Sequence, residues 1–266
     1  MRFKKWVVRL TLSLAFGLAV IVVLQQFYAH RKDYFVPDYP KEKLTEESDY
    51  ELIFRQTGLG KSATDKLISA GAFESILDIQ QAYFHKPQVE CISLLGMFTM
   101  EDRLKEKRNI PFVDLQPGDI ILTLSTHSVG WRHGHAGLIL DENSVLECVT
   151  LGKKSTVVDV KHWKKYSNIA QLRVKGSDSN LGQKVATFAK ENLCGIPYHL
   201  TAGLIGEKAP DIDEPYFGMQ CDYLVWYAWK YFGYDLDSDG GRLVTSYDLL
   251  NSDLLEIVQM YGMEMR

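Results

Sequence analysis

Two stretches of the chain carry side chains suited to covalent chemistry. In "GWRHGHAGLILD", residues 130–141, His133 and His135 flank one glycine and lead into an apolar run. In "QCDYLVWYAWKYFG", Cys221 stands where a long aperiodic loop gives way to an aromatic-rich helical segment. A thiol at a helix N-terminus feels the positive end of the macrodipole and the unpaired amides, both of which favour the thiolate. The same amides can hold an oxyanion after attack on a carbonyl. A thiol nucleophile needs a base, and His135 at the start of a strand suits that task. The histidines also permit a different chemistry. His127, His133 and His135 could offer imidazoles to zinc, because side chains two apart on a strand share a face. Gly134 between the pair and the lack of a partnered acidic motif weigh against this, so neither a metal nor any other cofactor is assigned. His133, His127 and Trp131 are instead expected to line the substrate cleft.

Other reactive-looking features read more simply. "DLDSDGG", Asp235 to Gly241, matches the front of a calcium loop, but position twelve falls on Ser246 where a bidentate glutamate is required. It is taken as a solvated acidic turn. Cys91, Cys148, Cys194 and Cys221 form no C-x-x-C pair, which excludes a zinc ribbon or thioredoxin motif. Trp226, Tyr227, Trp229, Tyr231 and Phe232 recur at near-helical spacing and belong to the core.

The elements that must position these residues follow from pattern and punctuation. "IPFVDLQPGDIILTLST" has proline and glycine ahead of a β-rich run, and "HAGLIL", "SVLECVTL", "STVVDVKHW" and "IAQLRVK" add further strands. "LGQKVATFAKENL" and the Cys221 segment are helical, giving an α+β domain with one antiparallel sheet over 109–262. Before it, 49–108 is expected to be a helical region. It includes "ISLLGMFTMEDRLKEK" and a Gly58-Leu59-Gly60 turn that resembles a helix-hairpin-helix motif. Amides in such a turn can hold a phosphate. The flanks lack a basic cluster and the chain carries a net charge of −4, so a tight structural turn is preferred and nucleic acid is not the expected partner. Residues 30–48 read as a linker. Residues 1–29 read as a membrane anchor, because Arg2, Lys4, Lys5 and Arg9 precede an uncharged run from Leu10 to Ala29. The basic start favours a cytoplasmic N-terminus, with the remaining domain on the far side of a cell membrane.

"QPGDIIL", "HGHAGLIL", "VLEC", "GIPYHL" and "QCDYLVWYAW", in that order, resemble the circularly permuted branch of the NlpC-type, papain-like cysteine hydrolases, the YiiX-like group. The resemblance spans about residues 110–260. It implies a permuted papain-like fold in which the histidine precedes the cysteine. Carried across, Cys221 is the nucleophile, His135 the base, Glu147 the acid that orients the imidazole, and Tyr198 a tyrosine near the pocket. Family members usually have serine after the cysteine, whereas Asp222 stands here, and a carboxylate there opposes thiolate formation.

The Glu147 assignment constrains the hairpin. Strand side chains alternate, so Glu147 must share a face with His135. A two-residue loop, Glu142-Asn143, places Glu147 opposite Leu138 on the wrong face, whereas a three-residue loop pairs it with Ile139 and restores the common face. The combined expectation is a membrane-anchored, extracytoplasmic amidase or endopeptidase that cleaves cell-wall peptide through a thioester. A lipid-ester hydrolase or acyltransferase, or a non-catalytic envelope- or DNA-binding surface protein, stands as the alternative.

Overall fold

The computed structural model describes residues 2–29, 34–93, 99–106, 110–128, 131–214 and 217–264. Helix α1, Arg2–Ala29, contains the window Lys4–Leu24 with a mean hydropathy of 2.5, none of it buried against the rest of the chain. A helix of that length rises about 30 Å, so it is long and apolar enough to cross a membrane.

Three short helices follow: α2 (Tyr50–Thr57), α3 (Lys61–Ser69) and α4 (Phe73–Tyr83). Asp49 caps α2 by accepting the Leu52 N–H at 2.8 Å, and Gly58 ends it at a φ of 72°. Ile53, Leu59, Ala63, Ile76 and Ile79 pack with Val113 and Val258 into a small core. The Gly58-Leu59-Gly60 turn is fastened to β9 (Leu255–Tyr261). The Met260 N–H donates to the Gly58 carbonyl and the Gly60 N–H donates to the Val258 carbonyl, both at 2.8 Å. A Cβ at Gly58 or Gly60 would lie 1.8 Å from the Met260 or Ile257 carbonyl oxygen. The turn joins the helices to the sheet, and the Gly60 amide is already engaged there.

The helix expected over "ISLLGMFTMEDRLKEK" is replaced, among the described residues, by an antiparallel hairpin of β1 (Val89–Ser93) and β2 (Met100–Leu104). Residues 94–98 and 107–109 of that region lie outside the described residues. Short apolar runs fit either periodicity, and here β4 (Thr126–His127) supplies a pairing partner for β2. Among the described residues of 49–108, the helices end with α4. The single expected sheet becomes two, a three-stranded sheet β1-β2-β4 and a six-stranded sheet β7-β6-β5-β3-β8-β9.

The larger sheet is antiparallel throughout and holds β3 (Ile120–Thr123), β5 (His135–Asp141), β6 (Ser144–Glu147), β7 (Thr156–Asp159), β8 (Ile169–Val174) and β9. Its two faces separate cleanly by alternation. Leu122, Ala136, Leu138, Leu146 and Leu172 face α5 (Ser179–Phe188) and α6 (Cys221–Tyr231) in the main core. Ile121, Ile139, Val145 and Ile169 face Trp163 and Tyr166, carried by a 3-10 turn over Val160–Lys165. The "QPGD" turn before β3 is pinned by Arg173, which donates to Asp114 and Asp119 at 2.7 Å each. The molecule is a mixed α/β protein with antiparallel sheets and an N-terminal apolar helix.

Candidate active site

The hairpin of β5 and β6 decides whether Glu147 can serve His135. Its register pairs Asp141 with Ser144 across the two-residue turn Glu142-Asn143, then slips at a bulge between Ile139 and Asp141. Beyond the slip, Ile139 pairs with Val145 and Gly137 with Glu147. The three-residue loop expected from the sequence is absent. An extra residue in the strand, Leu140, restores the parity instead, and a bulge of this kind re-aims every side chain past it. Glu147 pairs with Gly137 rather than with Ile139, but on the face that His135 uses.

His135 and Glu147 are brought together. The imidazole Nε2 lies 3.1 Å from Glu147 Oε2, both side chains are buried, and Trp163 stacks on the ring at 5.0 Å and 10°. With Nε2–H donating to the carboxylate, Nδ1 carries the lone pair that a general base requires. That nitrogen has no hydrogen bond among the described residues. Burial disfavours the charge on Glu147, but the His135 hydrogen bond and the adjacent imidazoles outweigh it and hold the carboxyl below its ordinary value. His162 adds a second imidazole, with Nε2 at 3.5 Å from the same Oε2. Neither His162 nor Trp163 was singled out from the sequence. Their signal was the "HW" pair directly after the last strand-like residues of "STVVDVKHW", which turns back over the sheet as the 3-10 segment.

Cys221 opens α6, as expected, and is buried beside β5. Its S–H donates to Asp222 Oδ2 at 3.3 Å, and the Ala136 N–H points at the sulfur. No hydrogen bond joins the thiol to His135 among the described residues. Burial, and next the Asp222 carboxylate, push the thiol well above its ordinary value, while the Ala136 amide works against them. The helix N-terminus alone predicts a thiolate; desolvation and a like charge reverse that, and the resting group is a thiol. Asp222 is itself lifted to about 6 by burial, against the hydroxyl of Ser246, which donates to Oδ1 at 2.6 Å. Ser246 touches Gly134 so closely that a Cβ there would lie 2.3 Å from its Oγ. At a φ of 74°, Gly134 lets the chain turn from His133 into β5 in contact with that hydroxyl.

Cys221 and His135 line one cavity of about 530 Å³, together with Trp131, His133, Tyr198, Gln220 and Asp222. The volume suits a small-molecule or single-chain substrate. His133 is held by Ser128 Oγ at 3.1 Å and by the Gly134 carbonyl at 2.9 Å. The Tyr198 hydroxyl is pushed up by burial and by the neighbouring Cys221 and Asp222. The Gln220 Nε2 is buried without an acceptor. Around the mouth, Trp131, Leu151 and Leu200 are 57%, 57% and 59% exposed, so the rim is apolar. A larger cavity of about 910 Å³ lies beside α4, away from Cys221, with Ser75, Asp78, His85 and Lys164 among its walls.

His127 does not line this cavity. It is 1% exposed, and its Nε2 approaches Cys91 Sγ and Asp102 Oδ1, both at 3.7 Å. His127, His133 and His135 therefore point to three different sets of partners and do not converge on one ion. In the acidic turn, Asp235 accepts from Trp226 and Lys230, and Asp237 is paired with Lys208.

No family model matches the chain, and no curated protein does. Among solved structures, it is similar to the crystal structure of metalloprotein yiiX from Escherichia coli O157:H7. The TM-score is 0.43 and the identity 17%, over 55% of this chain and 98% of that one.

Proposed function

We propose that this chain is a membrane-anchored, extracytoplasmic thiol hydrolase in which Cys221, His135 and Glu147 act on an acyl carbonyl. The observation that carries the reading is the His135–Glu147 pair, which engages Nε2 and leaves Nδ1 without a hydrogen bond, among the described residues, in a side chain that lines the same cavity as Cys221. The thiol leaves Asp222 and gives its proton to His135 Nδ1 as Sγ attacks the carbonyl carbon. The oxyanion accepts hydrogen bonds from the amide at the start of α6 and from Gln220 Nε2, a buried donor with no other partner. His135 then protonates the leaving nitrogen or oxygen, and a thioester remains on Cys221. Water, deprotonated by His135, releases the acid. Glu147 fixes the tautomer and stabilises the imidazolium throughout.

The resemblance and the proposed location favour a cell-wall peptide amide as substrate. A specific observation favours a second substrate, a lipid ester: the cavity mouth is ringed by Trp131, Val149, Leu151, Leu200 and Leu204, which suits an acyl chain better than a polar peptide. The test is to incubate the full chain in detergent with muropeptides and, separately, with phospholipid vesicles, and to follow products by mass spectrometry. Turnover of either substrate that is lost in Cys221→Ala supports the hydrolase, and the substrate consumed identifies the class. Turnover that survives Cys221→Ala contradicts it, as does a thiol-directed probe that labels only the other cysteines.

A further inference from the structure

The three-stranded sheet has two faces with different contents. Thr99, Glu101, Thr126 and Ser128 belong to the face that walls the cavity. The alternate residues point the other way. Cys91 pairs directly with Asp102 across β1 and β2, and His127 pairs with Met100, one diagonal step from Asp102 on the same face. Three strands thus bring a thiol, a carboxylate and an imidazole together, with one ligand atom of each lying within 4.8 Å of the others.

The three side chains meet only through long contacts, a Cys91 Sγ–His127 Nε2 hydrogen bond and a His127 Nε2–Asp102 Oδ1 ion pair. Asp102 is fully buried; its Oδ2 accepts from Arg132 at 2.9 Å, while Oδ1 has no hydrogen-bond partner. Oδ1 has only the His127 ring beside it, at 3.7 Å, so a cation bound there would supply a closer contact than the buried oxygen now has. The same ring nitrogen of His127 faces both Cys91 Sγ and Asp102 Oδ1, at 3.7 Å each. One N–H shared between the two acceptors would bond both weakly, since 3.7 Å is long for a hydrogen bond to oxygen. A single lone pair with two neighbours at this spacing is what metal coordination needs. Tetrahedral zinc, with its usual bonds to sulfur, nitrogen and oxygen, sets S···N and N···O edges of about 3.4–3.6 Å.

We propose that Cys91, Asp102 and His127 form a site for a zinc-class divalent cation that clamps the three-stranded sheet behind the cavity wall. Mixed thiolate, imidazole and carboxylate donors favour zinc and its late first-row neighbours over magnesium or calcium. Arg132 orients Asp102 by holding the oxygen that the cation does not use. Binding releases the Cys91 proton, and the two anions balance the charge of the ion. The site is separate from Cys221, His135 and Glu147, and it stands whether or not those residues hydrolyse anything.

The test uses the full chain in detergent, stripped with a chelator and titrated with cobalt(II) and then zinc. Expected are one tightly held ion per chain, a thiolate-to-cobalt charge-transfer band that zinc abolishes, and a rise in Tm on loading. Cys91→Ser should remove the band, and Asp102→Asn and His127→Ala should each weaken binding at least about tenfold. His133→Ala should leave stoichiometry and spectrum unchanged. The wild-type spectrum needs no variant, so a variant that misfolds does not hide the answer. Absence of stoichiometric metal, a band that persists in Cys91→Ser, or binding lost only with His135→Ala would overturn the proposal.

Discussion

Cys221 and Asp222 are neighbours in sequence and share one proton-bearing contact, so the charge of the second governs the chemistry of the first. Asp222 ionises near 6, well above the ordinary 3.8, because it is buried. Above that pH its negative charge opposes the thiolate; below it the carboxyl is neutral and the opposition fades. Asp222→Asn should therefore lower the apparent pKa of Cys221 alkylation by about one unit or more. The rate of iodoacetamide labelling against pH measures this, and an unchanged or raised midpoint would count against the role given to Asp222. Stability carries the same sign. A carboxyl whose folded pKa is raised binds its proton more tightly in the folded state, so stability falls as pH rises from about 4 through about 6. The Tm difference between Asp222→Asn and wild type should grow in favour of the variant between pH 5 and pH 7.5. Glu147 works in the opposite direction, as a charge the site needs. Glu147→Gln should lower kcat roughly 100-fold or more with little change in KM, since the imidazolium loses its partner while the cavity keeps its shape.

At the scale of elements, much of the main sheet was legible, because its strands carry β-branched runs between turn signals and its site residues sit at strand or helix ends. His135 at the start of β5 and Cys221 at the start of α6 lie where the sequence placed them, whereas Glu147 ends β6 opposite Gly137 instead of lying within a longer strand opposite Ile139. The register that unites two of them was legible only as a parity. Nothing in "LILDENSV" distinguishes a longer loop from a bulge at Leu140, since both add one residue. The β1–β2 hairpin was not legible at all. "VECIS" and "MEDRL" reveal their strand character only through pairing with each other and with β4, contacts that no local window contains. His127 was accordingly sent to the cleft, whereas strand alternation turns it to the opposite face. The docking of the helical region is open to a direct test. Gly60 has ordinary backbone angles, so Gly60→Ala changes only sterics against the Ile257 carbonyl. Chemical denaturation should show a loss on the order of 1–3 kcal/mol, and an unchanged midpoint would mean that the turn does not bear on β9 as described.

Across the whole molecule, the described residues include an apolar N-terminal helix, a cavity rimmed by apolar side chains and a buried His135–Glu147 pair. If α1 is the anchor, deleting residues 1–29 should move the protein from the membrane fraction to the supernatant after alkaline extraction; retention in the membrane would assign attachment to the apolar rim instead. Neither result decides whether the cavity performs the chemistry proposed for it, which depends on a covalent bond at one sulfur. The most direct measurement is intact and peptide-level mass spectrometry of the full chain after brief mixing with an activated acyl ester and acid quench. The account predicts one added acyl group, mapped to Cys221, absent in Cys221→Ala and formed more slowly in His135→Ala. Acylation at another residue, or none at Cys221 while the ester is consumed, would contradict it.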